Sequence, residues 1–312
     1  MAEVVIIIGN GFDRDLGLPS SYSDFIGSQE WEDVVGKVCN RHPLIAHLQS
    51  ASKDSLWFDI EEEIHKFVVS HSDNSFDEIN EIQFDFNLIK KALTDYLKRV
   101  SKDFVPKRER MSSEIFENLG RIYSSLRIIN FNYTNPIDFL WRDGNKYRGN
   151  NITYVHGSLK EDNIVLGCDI QKGEEVNRSL SFMYKYNQLY QANHIARELS
   201  NASNVVFFGH SINEMDFGYF RDFFKMASSS PRPIRHVAMI TLDEMSERKI
   251  KDNIRNQGIS VTDLFNNLGT FDFIRTKIRY EEGDKNTIER NKWYMLINRL
   301  KTVGYSGIKV KN

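Results

Sequence analysis

The chain has 312 residues, 40% of them hydrophobic, which is enough to bury a substantial core in one large or two modest domains. Its 41 Lys and Arg residues nearly balance its 43 Asp and Glu residues, so no overall field draws it to nucleic acid or anionic lipid. Two cysteines, Cys39 and Cys168, argue against a disulfide scaffold and exclude a four-thiolate zinc site. No segment approaches membrane-spanning length and no basic leader precedes Val4, so we expect a cytoplasmic protein.

The first structural signal is an apolar run, Val4 to Ile8, that ends at Gly9-Asn10-Gly11-Phe12-Asp13. β-Branched residues without polar alternation predict a strand buried on both faces, as in a parallel sheet. Two glycines after such a strand let the backbone approach a phosphate, because a Cβ would block that approach. The segment therefore predicts a nucleotide turn, with residues 9 to 13 as ligand contacts. The plainer alternative is a tight strand-to-loop turn, since Arg14 replaces the third glycine of the dinucleotide fingerprint.

Residues 28 to 125 carry few strand signals and several helical ones, which predicts a helical insertion after the first strand. Apolar residues recur at spacings of three and four in 59–69 and in 82–100. The acids Asp59, Glu61, Glu62 and Glu63 could hold a metal with His65, but consecutive acids near a helix start are typical of a solvated cap. We predict no metal there.

Strand signals resume at Leu126 and alternate with helical ones, which predicts a Rossmann-like parallel α/β sheet with right-handed crossovers. The predicted strands are 126–132, 152–156, 164–167, 204–209 and 236–242, and the predicted helices are 182–200, 217–226 and 243–257. We assign 1–27 with 126–280 to the core, 28–125 to the insertion and 281–312 to a C-terminal helical tail. The aromatic residues Phe182, Tyr184, Tyr186 and Tyr190 are predicted to face the core, and 107–110 to form a solvated face.

Polar or glycine-bearing motifs follow three of these strands. They are Asn130-Phe131-Asn132-Tyr133-Thr134-Asn135, His156-Gly157-Ser158 and Gly209-His210-Ser211-Ile212-Asn213-Glu214-Met215-Asp216. The carboxyl ends of parallel strands gather at one edge of a sheet, where such folds bind ligands, so we expect one site that also includes the Gly9 turn. The ligand contacts predicted from these motifs are Thr134, Gly157, Gly209, His210, Ser211 and Asp216.

These motifs carry a resemblance to known families. Gly9-Asn10-Gly11 followed by Gly17-Leu18-Pro19 resembles the nucleotide loop of the sirtuin superfamily, and His156-Gly157 resembles its catalytic His-Gly. Asn130 to Thr134 resembles the sirtuin Thr-Gln-Asn-Ile-Asp, and Phe208 to Ser211 resembles its Gly-Thr-Ser. The closer resemblance is to the bacteriophage abortive infection AbiH family. Its pattern reads through the segments 9–13, Trp57 to Glu61, Phe131, His156 and 209–216.

Two departures from sirtuins shape what the resemblance implies. Only Cys168 stands where sirtuin deacylases carry a four-cysteine zinc ribbon, and the Asp-Phe-Arg that follows their Gly-Ile-Pro is missing after Pro19. Protein deacylation is therefore not expected. Bacterial sirtuin-like domains without the ribbon include defence effectors that hydrolyse NAD. The resemblance thus implies an antiphage effector with a sirtuin-like core that converts NAD to nicotinamide and ADP-ribose.

Residue chemistry assigns roles within that activity. Cleaving the nicotinamide–ribose bond expels a neutral base through an oxocarbenium-like transition state, so a base near neutral pH and a polar group that orients ribose or water suffice. Histidine as a residue type titrates close enough to neutral pH to be such a base, which makes His156 the candidate, and Asn132 can donate and accept at once. The alternatives are a structural, capped His156 and a merely turn-forming Asn132 and Asn135 beside Pro136.

The sequence leaves two main functional classes open. The chain either consumes NAD or binds NAD or ADP-ribose as a sensor or signalling module, whereas a nuclease lacks a convincing metal constellation. The expected partners are NAD or a related nucleotide, a second copy of the chain, and a phage-derived or co-encoded trigger protein. No membrane and no sequence-specific nucleic acid are expected as partners.

The cysteine count generates a first prediction. Elemental analysis of the purified protein should find no stoichiometric zinc, because two thiols are half of what a ribbon needs. An acetyl-lysine peptide incubated with NAD should stay acetylated. Tightly held zinc, or NAD-dependent deacetylation, would contradict this reading of the sequence.

Overall fold

The computed structural model describes residues 3–36, 42–54, 58–71, 75–119, 125–140, 151–170, 173–188, 194–282 and 285–306. Cys39, Trp57 and Tyr190, which the sequence predictions used, lie outside these residues. The chain divides into two compact units. The first comprises Met1–Gly17, Val105–Val155 and Ala192–Asn312, and the second Leu18–Phe104 and His156–Gln191. Among the helices of the described residues, none combines the length and apolarity needed to cross a membrane.

The first unit contains a sheet whose paired strands are all parallel. The strands are β1 Val4–Ile8, β2 Leu126–Asn130, β3 Ile152–Tyr154, β4 Asn204–Phe208, β5 Arg232–Thr241 and β6 Leu268–Arg275. Their spatial order is β3-β2-β1-β4-β5-β6, which is the order of the doubly wound dinucleotide-binding fold. The predicted Rossmann-like α/β sheet is confirmed.

Helices cover both faces of this sheet. They are α1 Asn10–Leu16, α7 Met111–Leu119, α8 Pro136–Leu140, α9 Ile195–Asn201, α10 Arg221–Ser229, α11 Glu244–Asn256, α12 Val261–Asn267, α13 Thr276–Glu282 and α14 Thr287–Ser306. On one face, Val5 and Ile7 join a core completed by α9 to α12. On the other, Phe208 of β4 packs edge-on against Phe12 of α1. Every residue of β1 and β4 is buried, which explains why neither strand shows polar alternation.

Several element predictions require correction. Residues 164–167 do not form a strand, and 182–200 is not one helix: among its described residues, only the last turns, from Ile195, are α-helical. Strand β6 escaped prediction because threonine, glycine and aspartate interrupt its apolar run. The predicted tail packs against the sheet, since Lys292 Nζ in α14 donates to Phe273 O at 2.9 Å and Trp293 is fully buried. The helix predicted at 243–257 is confirmed as α11.

The second unit consists of helices together with residues 156–191, which follow β3 and are here called the partner segment. Its helices are α2 Tyr22–Ile26, α3 Gln29–Gly36, α4 Pro43–Asp54, α5 Ile60–Ser70 and α6 Phe76–Ser101, and the partner segment contains 3-10 turns at Arg178–Met183 and Lys185–Asn187. These bounds differ from those of the predicted insertion, 28–125. Helix α7 belongs to the first unit, and 156–191 groups with the second. Burial raises the pKa of the Cys168 thiol in this segment to about 12, so it carries no thiolate at neutral pH.

The acidic segment 59–63 shapes the second unit. Asp59 caps α5 by accepting from the N–H groups of Glu61 and Glu62, as predicted for a cap. Glu61 is buried and its Oε2 accepts from Lys185 Nζ at 2.9 Å. Lys185 is itself fully buried. His65 is the histidine of the alternative metal site, and its Nε2 instead lies 2.8 Å from Glu174 Oε2. The pair Glu61–Lys185 thus joins α5 to the partner segment.

The buried pair predicts non-additive stability effects. Lys185→Met leaves a carboxylate buried without its ammonium partner and should lower the free energy of unfolding by about 3 kcal/mol, measured by urea denaturation. The double variant Glu61→Met with Lys185→Met should be more stable than Lys185→Met alone, because no charge remains buried. Lys91→Met, which removes an exposed ion pair with Asp95, is the control and should change the midpoint little. Additive losses in the double variant would contradict the pairing.

Candidate functional site

The candidate site lies at the carboxyl ends of three neighbouring strands. The strand order reverses between β1 and β4, with β2 next to β1 on one side and β5 next to β4 on the other. Ile8, Asn130 and Phe208 stand level with one another in the sheet, so the turns after β1, β2 and β4 start side by side. Parallel sheets bind ligands in the crevice outside such a switch point. The motifs at residues 9–13, 130–135 and 209–216 therefore share one edge.

The turns after β1 and β4 are in direct backbone contact. Gly11 N–H donates to Gly209 O at 2.9 Å, and Gly9 N–H donates to Phe208 O at 3.0 Å. A Cβ on Gly209 would lie 2.3 Å from Phe12 N, and a Cβ on Gly11 would lie 2.6 Å from Gly209 Cα. Gly209 also has a φ of +65°. Gly9, Gly11 and Gly209 are therefore all required as glycine, because the turn after β1 packs directly on the turn after β4.

This contact changes the role that the sequence suggested for the glycines. The phosphate hypothesis needs Cα surfaces and N–H groups that face a ligand. The N–H groups of Gly9 and Gly11 are already donated to the end of β4, and their Cα atoms face Gly209 and His210. The geometry therefore supports the packing role for these glycines, and side chains at the same edge become the better candidates for ligand contact.

Asn130 closes the turn after β2 through two hydrogen bonds, whereas the Asn132 side chain contacts the turn after β1. Asn130 is fully buried, its Nδ2 donates to Thr134 O at 2.7 Å, and its Oδ1 accepts from Asn132 N–H at 3.0 Å. Asn132 Nδ2 reaches across to Gly9 O at 3.1 Å. No described residue donates to Asn132 Oδ1. In the sequence, Asn130 is recognisable only as the start of a motif, because its role in closing the turn depends on the turn's geometry.

Asp13 and Thr134 form a buried pair at the same edge. Their side chains are 1% and 2% exposed, and the Thr134 hydroxyl donates to Asp13 Oδ2. Burying a carboxyl group is costly unless it is hydrogen-bonded, so the pair ties α1 to the turn after β2. The structure thus brings together Gly9, Asp13, Asn132 and Thr134, as the strand-end argument predicted.

Among the predicted ligand contacts, Phe12 is fully buried whereas Ser211 is exposed to solvent. Phe12 is fully buried, with ring centroids 5.1 Å from Phe116 and 5.0 Å from Phe208, so its side chain belongs to the core. Ser211 is exposed at the end of β4, and Asn10 is half-buried at the start of α1. We retain Asn10 and Ser211, but not the Phe12 side chain, as ligand-contact candidates.

His156 and Gly157 belong to the second unit. His156 is 5% exposed, and its carbonyl accepts from Val165 N–H at 2.7 Å. Gly157 has a φ of +74°, and a Cβ there would lie 2.1 Å from Asn163 O. Local packing therefore accounts for this glycine. The predicted catalytic role of His156 and the predicted ligand contact of Gly157 stay predictions.

Comparison with known protein families decides the classification. Residues 5–235 match the family described as bacteriophage abortive infection AbiH. The chain belongs to the AbiH family. Comparison with curated proteins and with solved structures gave no match.

Membership of the AbiH family indicates a role in abortive infection of bacteriophage. The AbiH match begins in β1 and ends inside β5, so it includes the turns after β1, β2 and β4. Strand β6 and helices α11 to α14 lie beyond it. In this AbiH chain the matched region therefore contains the whole candidate site of the first unit, together with Glu61 and Lys185 of the second.

The glycine contact in this AbiH chain predicts a large stability loss on substitution. Gly209→Ala should lower the free energy of unfolding by more than about 2 kcal/mol, because the new Cβ combines a positive φ with overlap on the turn after β1. Urea denaturation measures the change. Gly218→Ala, where a Cβ would meet nothing within 4 Å, is the matched control and should stay within about 0.5 kcal/mol. Equal stability of the two variants would exclude the packing role.

Proposed function

We propose that this AbiH chain binds NAD at the carboxyl edge of its sheet and hydrolyses the nicotinamide–ribose bond as an abortive-infection effector. The observation that carries the proposal is the fixed Asn132 beside the buried Asp13–Thr134 pair at the switch point of a dinucleotide-type sheet. A turn with a purely structural role requires neither a half-buried amide whose oxygen is available to accept, as at Asn132, nor a buried carboxyl group, as at Asp13. Ligand recognition and catalysis use both.

Side chains would make the contacts that a dinucleotide needs. Asn132 is held by Gly9 O through its Nδ2, which leaves Oδ1 as an acceptor for a ribose hydroxyl or a water. The exposed hydroxyl of Ser211 and the half-buried amide of Asn10 are suited to the second ribose and the phosphates. This differs from the usual dinucleotide fold, where N–H groups of the glycine turn face the pyrophosphate.

The proposed reaction replaces one bond at the ribose C1′ with another. Water attacks C1′, the bond to the nicotinamide nitrogen breaks, and its electron pair neutralises the pyridinium, so nicotinamide leaves without a proton. The attacking water loses one proton to a base, and ADP-ribose is the other product. An acceptor at Asn132 Oδ1 would orient the water or ribose, and the Asp13 carboxyl group would stabilise positive charge that develops on the sugar.

His156 is the proposed base. The assignment rests on the resemblance of His156-Gly157 to the catalytic His-Gly of sirtuins and on the ordinary pKa of histidine. The sirtuin-like relation of the AbiH core is part of the same proposal. The chain would be inactive until a phage-derived or co-encoded trigger acts, because an enzyme that depletes NAD harms its own cell.

The test follows free nicotinamide after NAD is added to purified protein, with and without extract of phage-infected cells. Activated wild-type protein should release nicotinamide, and His156→Ala and Asn132→Ala should each slow release about a hundredfold or more. Asn201→Ala, at an exposed position, is the control and should retain full activity.

Each alternative outcome has a separate meaning. If activated wild-type protein binds NAD in a thermal-shift assay but releases no nicotinamide, a sensor or signalling module replaces the enzyme. If it neither binds nor cleaves NAD, the NAD proposal is wrong. Circular dichroism of each variant separates loss of activity from loss of fold.

A further inference from the structure

The loop from Gly209 to Asp216 contains a residue in an unusual backbone conformation. Ile212 has a φ of +48°, in the left-handed region that β-branched residues rarely adopt. Its side chain is fully buried in the core of the first unit, so the strained conformation is held by packing. Backbone strain of this kind clusters at ligand-binding turns, where the surrounding structure enforces it.

One side chain holds the strained amide. Ile212 N–H donates to His210 Nδ1 at 3.0 Å. The neutral ring therefore carries its proton on Nε2, which lies 3.6 Å from Asp216 Oδ2. Both nitrogens of His210 are thus directed at the loop that begins with it.

The His210 ring is also enclosed by aromatic side chains. Its centroid lies 4.3 Å from that of Phe131 and 5.2 Å from that of Phe220, in edge-on arrangements, and the residue is only 5% exposed. A ring enclosed in this way does not offer a face on which adenine could stack. The predicted ligand contact of His210 is better explained by an indirect role.

The residue between His210 and Ile212 is the exposed Ser211. Its carbonyl accepts from Asn253 Nδ2 at 3.3 Å, and further along the loop Asp216 N–H donates to Asn213 Oδ1 at 2.9 Å. The loop is therefore fastened at Ser211 and after it, and the bond from Ile212 N–H to His210 Nδ1 closes the turn around Ser211.

We propose that His210 is a positioning residue that holds the strained Ile212 turn and thereby places Ser211 against the ribose or phosphate of a dinucleotide. The identity of the ligand rests on the proposed function, whereas the hold on Ile212 does not. A side-chain acceptor that binds the N–H two residues later is the geometry of an Asx turn, so asparagine can replace the histidine in this task.

Two variants of opposite character test the proposal. His210→Asn keeps the acceptor and loses the ring, and His210→Leu keeps apolar volume between Phe131 and Phe220 and loses the acceptor. Hydrogen exchange at the Ile212 amide should be about tenfold faster in His210→Leu and near the wild-type rate in His210→Asn. The rise in melting temperature caused by NAD or ADP-ribose should be lost in His210→Leu and kept in His210→Asn. His194→Ala, at an exposed histidine of the same unit, should match wild type in both measurements.

The remaining outcomes overturn the proposal. If the nucleotide-induced rise in melting temperature is kept in His210→Leu and lost in His210→Asn, packing of the residue 210 side chain is responsible. If the rise is lost in both variants, the role belongs to His210 Nε2 and its contact with Asp216. If neither nucleotide stabilises wild-type protein, the proposed function fails. The exchange rate of the Ile212 amide still decides whether His210 holds the turn.

Discussion

The backbone contact between the turns after β1 and β4 is the constraint on which the site depends. Gly11 N–H donates to Gly209 O, and neither glycine has room for a Cβ. The contact holds together two strand ends that lie on either side of the switch point, and Asn132 joins the third by its bond to Gly9 O. Three turns from distant parts of the sequence are thereby fixed as one edge.

The same contact separates this chain from the usual dinucleotide site. There the glycines leave backbone for a phosphate, whereas here one turn fills the space beside the other. In the proposed NAD site, recognition would consequently fall to side chains, and the exposed Ser211 among them belongs to a strained loop. Strain at Ile212 and burial of Asp13 are features that packing alone does not require, which is why they support a ligand site.

The second unit uses charge in a different way. Its helices and the segment after β3 are joined by an ion pair between Glu61 and Lys185, and the attraction between these two groups is strengthened by their burial. The AbiH match includes both of these residues and the strand ends of the first unit. This AbiH chain thus has polar side chains at the sheet edge of its first unit and a buried ion pair within its helical second unit.

The parallel sheet and its strand-end motifs were predictable from the sequence, because a doubly buried strand is continuously apolar and tight turns favour glycine and asparagine. The sequence also predicted the cap at Asp59. It did not determine strand β6, the absence of a strand at 164–167 or the partner of Lys185, since each depends on which distant segment packs alongside. The closing role of Asn130 and the packing of Gly9 and Gly11 against Gly209 emerge only when the chain is folded. Periodicity is a property of neighbouring residues, whereas these roles arise from contacts between residues up to about two hundred positions apart.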